Sequence, residues 1–160
     1  MNLHQYAETH EVFNQVPPLD GANFYRLDLP LQEWLRRFHG GWGEARLDAY
    51  GALAGGPLLA AGFLANEHKP ELRTHDRYGQ RIDQVDFHPA YHELMRTAIE
   101  HGLPSLPWVN PQPGAHVVRA GLTYLHSQAE AASGCPLTMT FASVPALKLQ
   151  PDIADAWLPK

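Results

Sequence analysis

The chain has 160 residues, of which 44% are hydrophobic and 18% charged; that is single-domain size, with roughly 70% of the unfolded surface to bury. Twelve Lys and Arg stand against 17 Asp and Glu, a net charge of −5, so there is no basic excess of the kind that grips nucleic acid. A single cysteine, Cys135, excludes an internal disulfide, the N-terminus lacks the basic and apolar regions of a signal peptide, and no apolar run nears the roughly 20 residues that cross a bilayer. The expectation is a cytoplasmic protein with no membrane partner.

Residues 1–27 show no clean periodicity and read as an N-terminal arm, with Phe13, Phe24 and Tyr25 as its anchors. Residues 28–160 read as one helical domain. Asp28 is placed to cap a helix whose apolar face is Leu31, Trp34, Leu35 and Phe38, and Gly40-Gly41 ends it. A second helix spans residues 43–54 on Leu47, Tyr50 and Leu53 or Ala54. Pro57 opens a third after Gly55-Gly56, with Leu58, Leu59 and Phe63 as its stripe. Residues 71–87 change period and predict a β-hairpin turning at Tyr78-Gly79. Pro89 opens the most strongly marked helix, with Tyr91, Leu94, Met95, Ala98 and Ile99 at helical spacing and Gly102 as its stop.

Four prolines and Trp108 in residues 103–113 predict a rigid, irregular connector. A long helix follows over 114–133, with Val118, Leu122, Leu125, Ala129 and Ala132 on one face and Val117, Gly121 and Tyr124 on a neighbouring one; Gly134 caps it. Pro136 starts a last helix, 137–149, apolar nearly all round. Such a helix belongs in a core or beneath another domain. The sum is an all-α bundle of about six helices with a small β-hairpin insertion.

Few side chains announce chemistry. His88 and His92 stand four apart at a helix start, a spacing two metal ligands use, but the Glu of a His-Glu-x-x-His motif and a third ligand are both missing. The plainer reading makes His88 a flank or cap and turns His92 to solvent, so no metal is assigned. Cys135 lacks a nucleophile motif and reads as a small structural cysteine at a helix junction. Gly40-Gly41-Trp42-Gly43 and Ala54-Gly55-Gly56 lack the Lys and Ser/Thr of a phosphate loop. The arginines at 36, 37, 73, 77 and 81 alternate with acids, as ion-paired surfaces do. Thr138, Thr140 and Ser143 place hydroxyls on the apolar last helix, either bonded back to their own helix or lining a cavity.

Several passages in order carry a resemblance. Thr9-His-Glu-Val-Phe-Asn-Gln15, Gly62-Phe-Leu-Ala-Asn66, Arg73-Thr-His-Asp-Arg-Tyr-Gly79, Val85-Asp-Phe-His-Pro-Ala-Tyr-His92 and Cys135-Pro-Leu-Thr-Met-Thr-Phe-Ala142 resemble the N-terminal region of the AidB group, the adaptive-response branch of the acyl-CoA dehydrogenase superfamily. The resemblance runs from about Thr9 to Gln150. It implies an acyl-CoA dehydrogenase-like N-terminal helical bundle, followed in the full-length protein by a middle β domain, a C-terminal bundle and a further extension that this chain lacks.

It also implies FAD as the full-length protein's cofactor, held mainly by the absent modules, with none held by this chain alone. No catalytic residue can be carried over. Thr138, Met139, Phe141 and Ala142 are the residues similar to the wall of the acyl cavity. The implied partners are the protein's own remaining domains, an acyl-CoA-like ligand, and further copies: a tetramer in full-length form, with a dimer as the form open to this chain. DNA contact, part of the family's link to alkylation damage, is implied only for the missing C-terminal part. The other reading is a self-standing oligomerisation module without enzymatic activity, associating through residues 137–149.

Overall fold

A computed structural model describes residues 13–159. Nine helices and one two-stranded sheet are present among them. The anchors expected of the arm separate. Phe24 and Tyr25 are buried in a helical turn, α1 (Phe24–Leu27), while Phe13 is exposed. Asn23 caps this turn from its side chain, accepting from the Tyr25 and Arg26 N–H groups, and Asp48 ties it to α3 (Glu44–Ala54) through Arg26.

Asp28 caps α2 (Leu29–Arg37) as expected, accepting from Leu31 N–H at 2.8 Å. The same carboxylate accepts from the Tyr124 hydroxyl at 2.9 Å, fastening α2 to α7 (Ala115–Ala129). The apolar face of α2 buries less than its spacing implies. Leu35 is enclosed, but Trp34 and Phe38 stack on each other at the surface, 52% and 48% exposed. The helix stops at His39, which takes the left-handed φ of 64°; Gly40 then donates to Leu35 O at 2.7 Å, and Gly41–Gly43 form a 3-10 turn. The left-handed position is thus one residue before the expected glycine pair.

The core lies where α3 (Glu44–Ala54), α4 (Pro57–Glu67), α5 (Pro89–Glu100) and α7 converge. Leu47, Tyr50, Leu58, Leu94, Val118, Leu122 and Leu125 fill it. On α4 the buried stripe is Leu58, Ala61 and Gly62, and Phe63 points outward, 70% exposed. Small residues win because α7 passes so close: a Cβ on Gly62 would lie 2.3 Å from Ala129 O.

The hairpin is as expected, β1 (Glu71–His75) against β2 (Arg81–Asp86), antiparallel, with Gly79 at φ 83° in its turn. The 103–113 connector holds one helical turn, α6 (Leu106–Val109), and buries Leu103 and Leu106. The long helix ends four residues early, at Ala129. Glu130 swings to φ −159° and its carboxylate accepts from Ala132 and Ser133 N–H, so Ala132 lies off the helix and Gly134 opens α8 (Gly134–Leu147) instead of closing α7. A further helix absent from the sequence reading, α9 (Pro151–Trp157), packs on α8.

Candidate functional site

The α8 helix has two unlike sides. Leu137 is buried, and Phe141, Val144 and Leu147 are half-buried, on the side that meets α5 and α7. Cys135, Thr138, Met139, Ala142, Ser143 and Ala146 are exposed, with Met139 67% open. An uncharged helix face of Met, Ala, Cys and hydroxyl side chains, open to water, is what a missing partner would cover. This corrects the expectation of a small structural cysteine, because Cys135 is exposed.

The four residues similar to an acyl-cavity wall divide between these sides. Thr138, Met139 and Ala142 share the exposed face. Phe141 faces inward, stacked 5.0 Å from Trp108, with the Arg119 guanidinium 3.8 Å over its ring. It anchors the wall, since Trp108 Nε1–H also donates to Phe141 O at 3.1 Å and Arg119 Nε donates to Leu103 O at 2.9 Å. Burial lowers the Arg119 pKa, and the ring face compensates part of that desolvation. The α8 hydroxyls follow the back-bonding alternative: Thr140 donates to Pro136 O at 3.0 Å and Ser143 to Thr140 O at 2.8 Å.

Beneath the α7–α8 corner lies a buried polar relay that the sequence did not disclose. Tyr50 Oη is 2.8 Å from His126 Nδ1, and His126 Nε2 is 2.8 Å from Ser133 Oγ. Burial lowers the His126 pKa, against a smaller opposing pull from Glu130, so the ring is neutral near pH 7. Burial likewise raises the Tyr50 hydroxyl. With Tyr50 protonated, its O–H donates to Nδ1, which leaves Nε2–H to donate to Ser133.

Glu130 ends the relay. Its own burial would raise it, but hydrogen bonds from the Ser133 hydroxyl, the Ser133 and Ala132 N–H groups and Asn66 bring it below the ordinary carboxylate value. Every member has a partner, so the relay fixes a corner and offers no free nucleophile. A lone histidine in a helix carries no spacing signal by which it could have been found.

A cavity of about 290 Å³ opens beside this corner, between the end of α4, the base of the hairpin and the start of α5. Pro70, Phe87, His88, Tyr91, Ala132 and Pro136 are among its walls. His88 caps α5, its Nδ1 accepting from Ala90 N–H at 3.2 Å, and stacks on His68 at 4.6 Å. His92 is exposed and meets the Phe87 and Tyr91 rings by its edge. No group of three or more His, Cys, Asp or Glu side chains able to hold a metal occurs among the described residues. None of their single helices is long and apolar enough to cross a membrane.

Residues 14–160 match the family model described as the adaptive response protein AidB N-terminal domain. The chain belongs to the AidB N-terminal domain family. "Putative acyl-CoA dehydrogenase AidB" of Escherichia coli (strain K12) is 43% identical over 142 residues, 88% of this chain but 26% of that protein. This AidB-type chain therefore spans about a quarter of the curated relative it matches. The solved structure of Bd2924 in its apo form superposes with a TM-score of 0.83 at 26% identity, covering 92% of this chain and 31% of that one. Caenorhabditis elegans ACDH-11 in complex with C11-CoA gives 0.74 at 20% identity, covering 97% and 29%, a likeness of fold. The AidB-type domain is thus an acyl-CoA dehydrogenase-like helical bundle, and its relatives are much longer chains.

Proposed function

We propose that this chain is the N-terminal wall module of a cytoplasmic, FAD-dependent acyl-CoA dehydrogenase-like oxidoreductase of the AidB type, serving the response to DNA alkylation and silent as a catalyst by itself. The observation that carries the reading is the open α8 face, where Thr138, Met139 and Ala142 lie together without a charge. Such a face suits an acyl chain or a flavin edge, and it lacks the cations that would meet the FAD phosphates. The residues therefore fit a wall and not a holder of the cofactor.

FAD, held by the remaining domains, supplies the electron acceptor. This chain's part is to exclude water from the acyl cavity and to fix its width. The relay at the α7–α8 corner and the Trp108–Phe141–Arg119 stack set the position of α8. ACDH-11, a fold relative, was solved with an acyl-CoA, which favours an acyl-CoA-like ligand. DNA belongs to the absent C-terminal part, and further copies complete a tetramer.

Replacing the N-terminal quarter of E. coli AidB with this chain tests the reading. The chimera is expected to purify yellow with near-stoichiometric flavin, and the 160-residue chain to purify colourless. Stoichiometric flavin on the short chain, or a folded chimera without flavin, would contradict it.

A further inference from the structure

The cavity beside the α7–α8 corner has one side held rigid and another with hydrogen bonds still to give. Its volume of about 290 Å³ lies just under the usual range of ligand pockets, roughly 300–1,000 Å³, and suits a single ring with a short substituent. Glu130 and Ser133 stand in its lining, and the relay through His126 holds them in place. Thr138, Met139, Phe141 and Ala142 lie outside its described lining. The cavity is therefore separate from the α8 face assigned to an acyl chain.

The acidic and amide groups of this lining are spent. Glu130, the one carboxylate among its described residues, accepts from Ala132 and Ser133 N–H, from the Ser133 hydroxyl and from Asn66. Those four bonds fill its roughly four acceptor sites. Asn66 also donates to Gly62 O at 2.8 Å, and Ser133 Oγ is taken up between His126 and Glu130. What remains are donors. His88 Nδ1 accepts from Ala90 N–H, which puts the ring hydrogen on Nε2. Among the described residues neither that Nε2–H nor the Lys69 ammonium has a hydrogen-bond or ion-pair partner. Glu71 lines an adjoining hollow of about 250 Å³ that shares His68, Lys69, Phe87 and His88, yet it forms no ion pair with Lys69. The starts of α5 and α8 reach the cavity through His88 and Pro136, and helix starts favour negative charge. The other walls are flat and largely apolar: Phe87 stacks on Tyr91 at 4.4 Å, His68 stacks on His88 at 4.6 Å, and Pro70 and Pro136 complete them. A cation here would face Lys69 and a saturated carboxylate. A neutral hydrocarbon ring would leave the Lys69 and His88 donors without an acceptor.

We propose that this cavity binds a small aromatic carboxylate, with its ring against the Phe87–Tyr91 pair and its carboxylate accepting from Lys69 Nζ and His88 Nε2–H. The inference is independent of flavin binding, which reports on α8. Benzoate is the probe, titrated into the full chain and followed through backbone amide NMR shifts. Saturable shifts centred on the cavity, at Tyr91 and Ala132 among others, are expected with a Kd of about 1 mM or below. Benzamide, the neutral isostere, and benzylammonium, the cation, are expected to bind at least about tenfold more weakly. Cyclohexanecarboxylate keeps the charge without the flat ring and should bind about threefold or more weakly. Lys69→Gln, at an exposed position, should weaken benzoate about three- to tenfold. His88→Asp keeps a capping acceptor for α5 and sets a negative charge where the donor stood, so it should abolish saturable binding with far-UV helicity unchanged. Arg77→Gln removes a cation from the hairpin turn and should leave the benzoate affinity as it was. No saturation by about 10 mM, equal affinity for benzamide or cyclohexanecarboxylate, or a Lys69→Gln chain that binds like the wild type would overturn the proposal.

Discussion

His126 binds its proton less readily in the fold than in the unfolded chain, because burial holds its pKa below the ordinary value of 6.5. Unfolding then takes up a proton, so stability is whole above about pH 6.5 and declines as pH falls below it. His101, lowered first by burial and then by Arg46, adds to the same slope. The melting temperature should therefore drop between about pH 7 and pH 5.5. His126→Gln should cost about 1–3 kcal/mol at neutral pH through lost buried hydrogen bonds and should make that drop shallower. An unchanged pH slope in the variant would remove His126 from the account.

Two glycines make predictions of a different kind. Gly114 sits at φ 78° with its Cβ direction 2.1 Å from His39 O, and Gly62 lies under Ala129. Gly114→Ala should cost roughly 1–3 kcal/mol for the backbone conformation alone, with the clash added. Gly62→Ala should also lower the denaturation midpoint, because the neighbour, Ala129 O, is backbone and cannot swing aside. Both are read from urea melts.

At the scale of elements, α8 should respond to substitution by side. Leu137→Ala removes a buried contact and should cost about 2–5 kcal/mol. Met139→Lys, on the open face, should change the chain's own stability by no more than about 0.5 kcal/mol while lowering flavin occupancy in the chimera. Equal stability losses on both sides would mean that the helix is not half-covered.

The same helix shows how far local sequence reaches. Its apolar circumference was legible and signalled a helix that needs cover. Its start was not, because Gly134 is an ordinary helix stop, and only the folding-back of the Glu130 carboxylate moves the break to Ala129. The α9 helix was missed because Pro151 follows an apolar run that reads as a chain end. Asp28, Gly102, His88-Pro89 and the Tyr78-Gly79 turn were legible because each acts on its own neighbours. Trp34, Phe38 and Phe63 have the right spacing for burial and lie outside, since periodicity gives a face but not what stands opposite it. The wall residues were placed by resemblance, and the inward turn of Phe141 is a tertiary fact. The His126 relay joins residues 50, 126 and 133, and no local pattern links them.

For the whole molecule, the bundle has its own core in α3, α4, α5 and α7, and among the described residues apolar side chains stand uncovered on α8 and on the hairpin. The α8 surface is the one assigned here to the protein's own further domains. A charge on the α8 face should reduce the flavin loading of a chimera.

Cys135 reports directly on the central claim, since it is the chain's one cysteine and lies exposed in the first turn of α8. Its maleimide labelling rate can be compared between the 160-residue chain and a chimera with E. coli AidB whose other cysteines are replaced. Labelling is expected to be fast in the short chain and at least about tenfold slower in the chimera, as the added domains close over α8. Equal rates in the two folded proteins would mean that α8 is not the surface those domains cover.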